Sequence, residues 1–488
     1  GRRVPVHDTW STDNAGALAE SHSYLLGGLG HGCLAGGEGD GQWQVHLTWS
    51  AGQGHQHEDG LSLLLFARGR ELLSDLGYTH SRDRAWTLPT VAHNTVVIDH
   101  LDQAANGTTY GALRYFDAAD SGCQVLSVDN PMVYPNLAHT YRRTLVAVGG
   151  EYVVDLFEVG GGEQHDYFLH GCADVAGAVE AWGEGGPLPT EALATLTPEG
   201  VEYAEAMNEG ECGLAVRPGY AYGYLRDLQR VLGALPGACI LSYTLEGSAV
   251  ALRAHVLSQP GDELILGRNP AVRGARENDD NLREHWRPFG MFRRRGGESV
   301  FAAVLEPLSG APSVTSVRRL DWPGAALALE ISAGDRRDLV VLRPQGLQAE
   351  WQGRPLTATA ELAVLTPAGA TVVGGTAKWG AMTAEAASSG DHPLVGLDPV
   401  TQTLIVRGDL RPPAGTVVLL DQGGQRVSPF TVVSAERVGD DTRLRVSESV
   451  PLTWDAASQT SEFVCRPGTR HSGPHVVRFM PVARAAVP

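Results

Sequence analysis

Three histidines and one aspartate between Trp49 and Asp99 could do chemistry together. His55 and His57 flank Gln56 in an H-x-H pattern. On a strand, positions i and i+2 share a face, so both imidazoles can point at one site. Asp75 stands at the end of a predicted strand, just before Leu76-Gly77, and His93 opens another, Thr95–Asp99. Two imidazoles and one carboxylate from neighbouring strands make a three-ligand, zinc-type site. An H-x-H pair alone is a weak signal, since surface histidine pairs are common. Cupin barrels also carry one, followed by a Glu at fixed spacing, and neither Glu58 nor Asp59 has that offset. Asp59 could be a further ligand or could cap the turn before Leu61; capping is the preferred reading.

The elements that must position these residues read as strands. Leu61–Phe66, Thr95–Asp99, Thr140–Val148, Glu151–Val159, Val250–Leu257, Val300–Glu306, Ala326–Ser332 and Asp338–Leu342 are short and mostly apolar or β-branched. Many recur every 10–20 residues between Gly, Pro, Asn and Asp, as in a large antiparallel sandwich. Residues 1–20 read as a lead-in, and Ala17–Leu26 as one short helix. Asn269–Gly297, with seven arginines against four acids, reads as a long loop whose charges are solvated and paired among themselves. A turn-like stretch at Arg343-Pro344-Gln345-Gly346 suggests a boundary near 345. Six further strands follow it: Glu361–Leu365, Thr403–Arg407, Thr416–Asp421, Phe430–Ser434, Thr442–Val446 and Val476–Met480. The expected architecture is all-β: a lead-in over 1–20, a large antiparallel β-sandwich over 21–345 and a smaller C-terminal β domain over 346–488.

Composition agrees and excludes other classes. Gly (60) and Pro (28) are abundant and Met is 5, which suits many short strands joined by turns. No apolar run approaches the ~20 residues of a membrane-spanning helix. The net charge of −18 argues against general nucleic-acid binding. Lys378 is the single lysine, so an anionic ligand must be met by local Arg and His. The six cysteines are scattered without a C-x-x-C, which argues against thiolate zinc. The chain opens at Gly1 without signal-peptide regions, so the expectation is a processed chain or part of a longer one.

The order and spacing of several motifs resemble the heparinase II/III-like polysaccharide lyases. The carriers are Gly54-His55-Gln56-His57-Glu58-Asp59-Gly60-Leu61-Ser62, Gly69-Arg70-Glu71-Leu72-Leu73-Ser74-Asp75 and Ala92-His93-Asn94-Thr95-Val96-Val97-Ile98-Asp99. Tyr141-Arg142-Arg143-Thr144, Glu151–Leu156 and His165–His170 resemble the strands that follow. The resemblance is clear over about 43–172 and diffuse to about 345. It implies a secreted or periplasmic lyase, with His55 catalytic and lining the cleft. His57, Asp75 and His93 would hold a divalent metal, usually zinc, with a structural role. Arg84 lies where an Arg could reach a substrate carboxylate. Such lyases normally begin with a helical toroid that supplies a Tyr, and often Asn and His, to the opposite cleft wall. No such region is read here, and neither Tyr78 nor Tyr110 matches the toroid Tyr. The expected partners are an acidic polysaccharide and an upstream helical segment or partner chain, with no nucleic acid and no membrane.

The implied chemistry explains the residue types. β-Elimination removes the C5 proton of a uronic acid once its carboxylate is neutralised. An acid then protonates the departing O4, and His suits either proton role. Two competing readings are a non-catalytic carbohydrate-binding or scaffold β protein that keeps the metal site, and a metal-dependent glycan hydrolase with an open water position. His165 and His170 read as hydrogen-bonded sandwich histidines, Trp43 and Trp49 as core. Asn94 is expected to bond backbone, and Asp155 to satisfy a buried donor.

Overall fold

The computed structural model describes residues 21–51, 56–77, 84–119, 122–204, 218–271, 273, 284–386, 390–465 and 468–486. His55 and Tyr78 lie outside the described residues, as do the 1–20 lead-in and the Arg84 side chain. The described residues are 56% strand and 4% helix, with antiparallel sheets. It divides into two compact units. The first comprises 1–110, 121–124 and 129–312; the second comprises 111–120, 125–128 and 313–488.

The first unit contains a β-sandwich. One layer has six strands in the order Thr190–Ala192, Arg226–Val231, Glu263–Pro270, Trp286–Arg295, Gln164–His170, Val96–Ile98. Against it run Gly177–Gly183, Ala238–Leu245, Ala251–Leu257, Glu298–Leu308, Tyr152–Gly160 and Thr140–Val148, side by side in that order. Between the layers, the Tyr167 and Phe301 rings stack at 5.2 Å. Tyr243 donates its hydroxyl to the Leu169 carbonyl at 2.7 Å and accepts from Gly290 N–H at 3.0 Å. These hydroxyl bonds satisfy backbone groups that burial would otherwise strand.

Local chemistry sets the hairpins. Thr140–Val148 and Tyr152–Gly160 pair in register from Val148 opposite Tyr152 to Thr140 opposite Gly160. Gly149 and Gly150 make the reversal at φ 56° and 69°, a left-handed geometry that favours glycine. A side chain on Gly150 would also put its Cβ 2.6 Å from Trp43 Nε1.

A five-stranded sheet carries the entry to the site: Tyr24–Leu26, His31–Gly36, Trp43–Thr48, Leu63–Ala67, Arg70–Leu73. Tyr24–Leu26 is a strand, where the sequence suggested a helix. It is three residues long, and its pairing with His31–Cys33 overrides a local propensity that is weak over so short a stretch. Val45, Leu47, Leu63 and Leu65 are buried at 0–1% exposure on the sheet's inner face. Each such side chain contributes about 1.5–3 kcal/mol. The other face carries a polar chain. His31 Nδ1 meets Thr48 Oγ1 at 3.1 Å, and His31 Nε2 meets His46 Nδ1 at 3.3 Å.

Trp286–Arg295 corrects the long-loop expectation for Asn269–Gly297. It is a ten-residue strand, buried from Arg287 to Arg294. Two of its arginines are paired with acids outside the stretch: Arg293 with Asp166 at 2.7 Å, Arg294 with Asp262 at 2.8 Å. Residues 274–283 of that stretch lie outside the described residues.

The second unit is also β. A six-stranded and a four-stranded sheet share one core that includes Leu339, Leu356, Trp351 and Trp379. A closed six-stranded barrel runs from His392–Asp398 to His475–Arg478. Arg343–Gly346 joins strands of this unit, since Arg336–Leu342 pairs with Leu362–Thr366. Lys378 is exposed on this unit.

Candidate metal centre

Three loop segments of the first unit deliver the candidate ligands. Trp43–Thr48 ends before Gln56 and His57, which lie outside any strand, so the expected strand across H-x-H is not seen at these two residues. The segment is held by Glu58 N–H donating to the Leu88 carbonyl at 3.0 Å. Asp75 follows Arg70–Leu73 by two residues, as the sequence suggested. His93 ends the 3-10 turn Thr90–Ala92 and precedes Val96–Ile98.

These segments bring His57, Asp75 and His93 together, with one ligand atom from each lying within 4.8 Å of the others. His93 Nδ1 is 2.6 Å from Asp75 Oδ2, and the two imidazole rings are 5.3 Å apart. His93 is fully buried. Its Nε2 meets no hydrogen-bond partner among the described residues. Buried imidazole nitrogens are normally satisfied, so this donor set suits a divalent cation. Burial pushes the Asp75 carboxyl up, but His93 and His57 outweigh it and hold it well below the carboxylate range. Burial pushes His93 down, and Asp75 more than restores it.

More acids surround the triad. Burial, helped by Asp102, pushes Glu58 up to about 8. Burial pushes Asp102 up to about 6, against the Thr90 N–H that donates to it at 3.1 Å. Asp59 closes its turn through its backbone carbonyl, which accepts from Ser62 N–H at 2.8 Å.

The surroundings of the ligands are built from far in the sequence. Arg273 donates to the Asp75 carbonyl at 3.0 Å and pairs with Glu71 and Asp174 at 2.5 and 3.0 Å. Arg287 donates to the Ser74 and Ala92 carbonyls, each at 2.7 Å. Asn94 Nδ2 also reaches the Ser74 carbonyl at 3.2 Å, and its Oδ1 accepts from His170 N–H at 2.6 Å. Asn94 therefore bonds backbone, as expected. Asp155 meets its donor in Arg143, at 2.8 and 2.5 Å. His165 and His170 are buried and hydrogen-bonded, the first to Ser299 Oγ at 2.7 Å, the second to the Val91 carbonyl at 3.0 Å. Trp43 and Trp49 are core.

Sequence reasoning missed Asp102, Arg273 and Arg287, and weighed Glu58 only against the cupin spacing. Arg273 and Arg287 were visible only as members of a charge-rich stretch.

Residues 45–218 match the family model described as heparinase II/III-like, C-terminal. A 150-residue stretch, 26% of this chain, is 29% identical to a protein of Stenotrophomonas maltophilia (strain K279a) named alginate lyase, and covers 20% of that protein. Among solved structures, heparan sulfate lyase HepC from Pedobacter heparinus is 15% identical with a TM-score of 0.43, covering 66% of this chain and 42% of that one. Heparinase III is 14% identical with a TM-score of 0.40, covering 64% and 41%. The chain thus spans less than half the length of these relatives.

Proposed function

Residues 45–218 belong to the heparinase II/III-like C-terminal family, and from that membership we propose that this chain is the sandwich portion of a polysaccharide lyase. Its substrate would be a uronic-acid-containing polysaccharide, glycosaminoglycan-like or alginate-like, cleaved by β-elimination. The observation that carries the reading is the convergence of His57, Asp75 and His93 inside the matched segment.

In the proposed reaction a base takes the C5 proton, the C4–O4 bond breaks, a C4=C5 double bond forms and an acid protonates O4. His55, two residues from the ligand His57, is assigned a proton-transfer role. Arg84 is assigned to the substrate carboxylate, whose neutralisation makes C5–H acidic enough to lose. His57, Asp75 and His93 would hold a divalent ion, zinc by donor type, that braces the cleft wall. A ligand imidazole is neutral and fixed in tautomer, which leaves the proton work to His55. The remaining groups around the sugar are assigned to an upstream helical segment or a partner chain.

The test is ultraviolet absorbance of products from a panel of uronic-acid polymers, which reports the unsaturated uronate. The chain is assayed alone and with an upstream helical segment joined to it. Absorbance only with that segment supports the reading. Cleavage without the chromophore would point to a hydrolase, and binding without cleavage in either form to a non-catalytic module. His55→Ala should abolish elimination and leave the metal content unchanged. Loss of both would make His55 a ligand.

A further inference from the structure

Arg143 and Arg287 are both fully buried in the first unit, and they are neutralised in different ways. Arg143 has its own carboxylate, Asp155, at 2.8 and 2.5 Å. Arg287 meets no carboxylate among the described residues. Its Nε donates to Asn269 Oδ1 at 2.9 Å, Nη1 to the Ser74 carbonyl at 2.7 Å and Nη2 to the Ala92 carbonyl at 2.7 Å. A buried cation without an ion partner is costly and persists only where its surroundings fix it.

The two carbonyls it holds are not ordinary core acceptors. Ser74 immediately precedes Asp75, and Ala92 immediately precedes His93. A guanidinium is a rigid planar fork, so one group sets the spacing and orientation of both peptide planes. The fork is itself fixed, because Asn269 holds its Nε while Asn269 Nδ2 lies 2.9 Å from His170 Nδ1. The Asp75 carboxylate also acts favourably on the Arg287 charge, against burial.

We propose that Arg287 is the positioning residue of the metal centre, clamping the Asp75 and His93 segments at the separation the ion requires. The inference rests on reading His57, Asp75 and His93 as metal ligands. A purely structural arginine would stabilise the apo and metal-bound forms equally. A positioning arginine stabilises the bound form more.

The full chain, stripped with chelator, is titrated with Zn²⁺ against a competing indicator as wild type, Arg287→Lys and Arg287→Met. Near-ultraviolet circular dichroism and melting temperature with and without zinc are recorded in parallel. Arg287→Lys keeps the charge and loses the fork. It should fold and bind zinc about 10–100-fold more weakly, the loss typical of outer-shell partners. The zinc-induced rise in melting temperature should shrink with it. A folded lysine variant with wild-type zinc affinity overturns the proposal. If neither Arg287 variant folds, Asn269→Ala carries the test, since it leaves the guanidinium in place and removes the acceptor of Nε together with the amide that meets His170 Nδ1. Weaker zinc binding there supports the clamp, and wild-type affinity overturns it. A folded wild-type chain that binds no divalent metal sinks the metal reading and this inference together. A chain that binds zinc but ignores Arg287 sinks only the inference.

Discussion

His57 is a buried ligand candidate on a loop. His57→Ala should lose metal and thermal stability together, because a site absent from the unfolded chain makes binding energy folding energy. At a hundredfold excess of metal over Kd the lost stabilisation is about 2.7 kcal/mol. Elemental analysis and melting curves check both, and unchanged metal content would remove His57 from the site. Asp155 carries the opposite kind of burden. Asp155→Ala strands the buried Arg143 guanidinium, which also donates to the Leu61 carbonyl at 2.7 Å. Breaking such a pair from one side costs about 3–5 kcal/mol. Urea unfolding should show a loss of unfolding free energy of that size, seen as a lower midpoint, with no change in metal content.

The five-stranded sheet predicts a pH response. Burial pushes the His31 imidazole down to about 4 from its ordinary 6.5. The unfolded chain therefore takes up a proton that the folded chain refuses. Stability from this site is complete above about 6.5 and falls as the pH drops toward about 4, by roughly 3 kcal/mol. Urea midpoints at pH 7 and pH 4.5 measure it, and His31→Gln should flatten the difference; an unchanged pH dependence in the variant would refute the assignment. Elements also show what a sequence can and cannot reveal. Thr140–Val148 and Thr403–Arg407 match their predicted bounds because apolar and β-branched residues fill them. The H-x-H spacing and the strand-end Asp showed the ligand types, but the triad itself was legible only through the family resemblance, because Gln56 and His57 do not lie on the strand that the spacing implied. Trp286–Arg295 was not legible, because a strand buried on both faces has no period-2 alternation and its arginines looked solvated. Two of their partners, Asp166 and Ser74, lie more than a hundred residues away. A reading of local pattern has no access to pairings of that span.

The charge of −18 acts on the molecule as a whole. A uronic-acid polymer approaching this surface is repelled over distances comparable to the Debye length, about 10 Å at 0.1 M salt. Most polyanion-binding proteins weaken as salt rises, because their basic patches are screened. Here moderate salt should help. For a complete lyase containing this chain, kcat/KM on an anionic polymer should rise between about 10 and 150 mM salt. Steady-state rates at several ionic strengths check it, and a monotonic fall would mean that a basic field outside this chain dominates.

The Arg287 clamp has a consequence for synthesis. Ala92 and Arg287 are separated by 195 residues. At about 5–20 residues per second, the ligand segments leave the ribosome some 10–40 s before the group that fixes them. During that interval His57, Asp75 and His93 exist without the guanidinium that aligns two of their segments. On the proposed metal reading, the clamp would make loading a late event, and the ion kept would be the one available after the Trp286–Arg295 strand has docked. The compartment in which that docking occurs would then help decide the occupant, alongside the intrinsic preference of two imidazoles and a carboxylate.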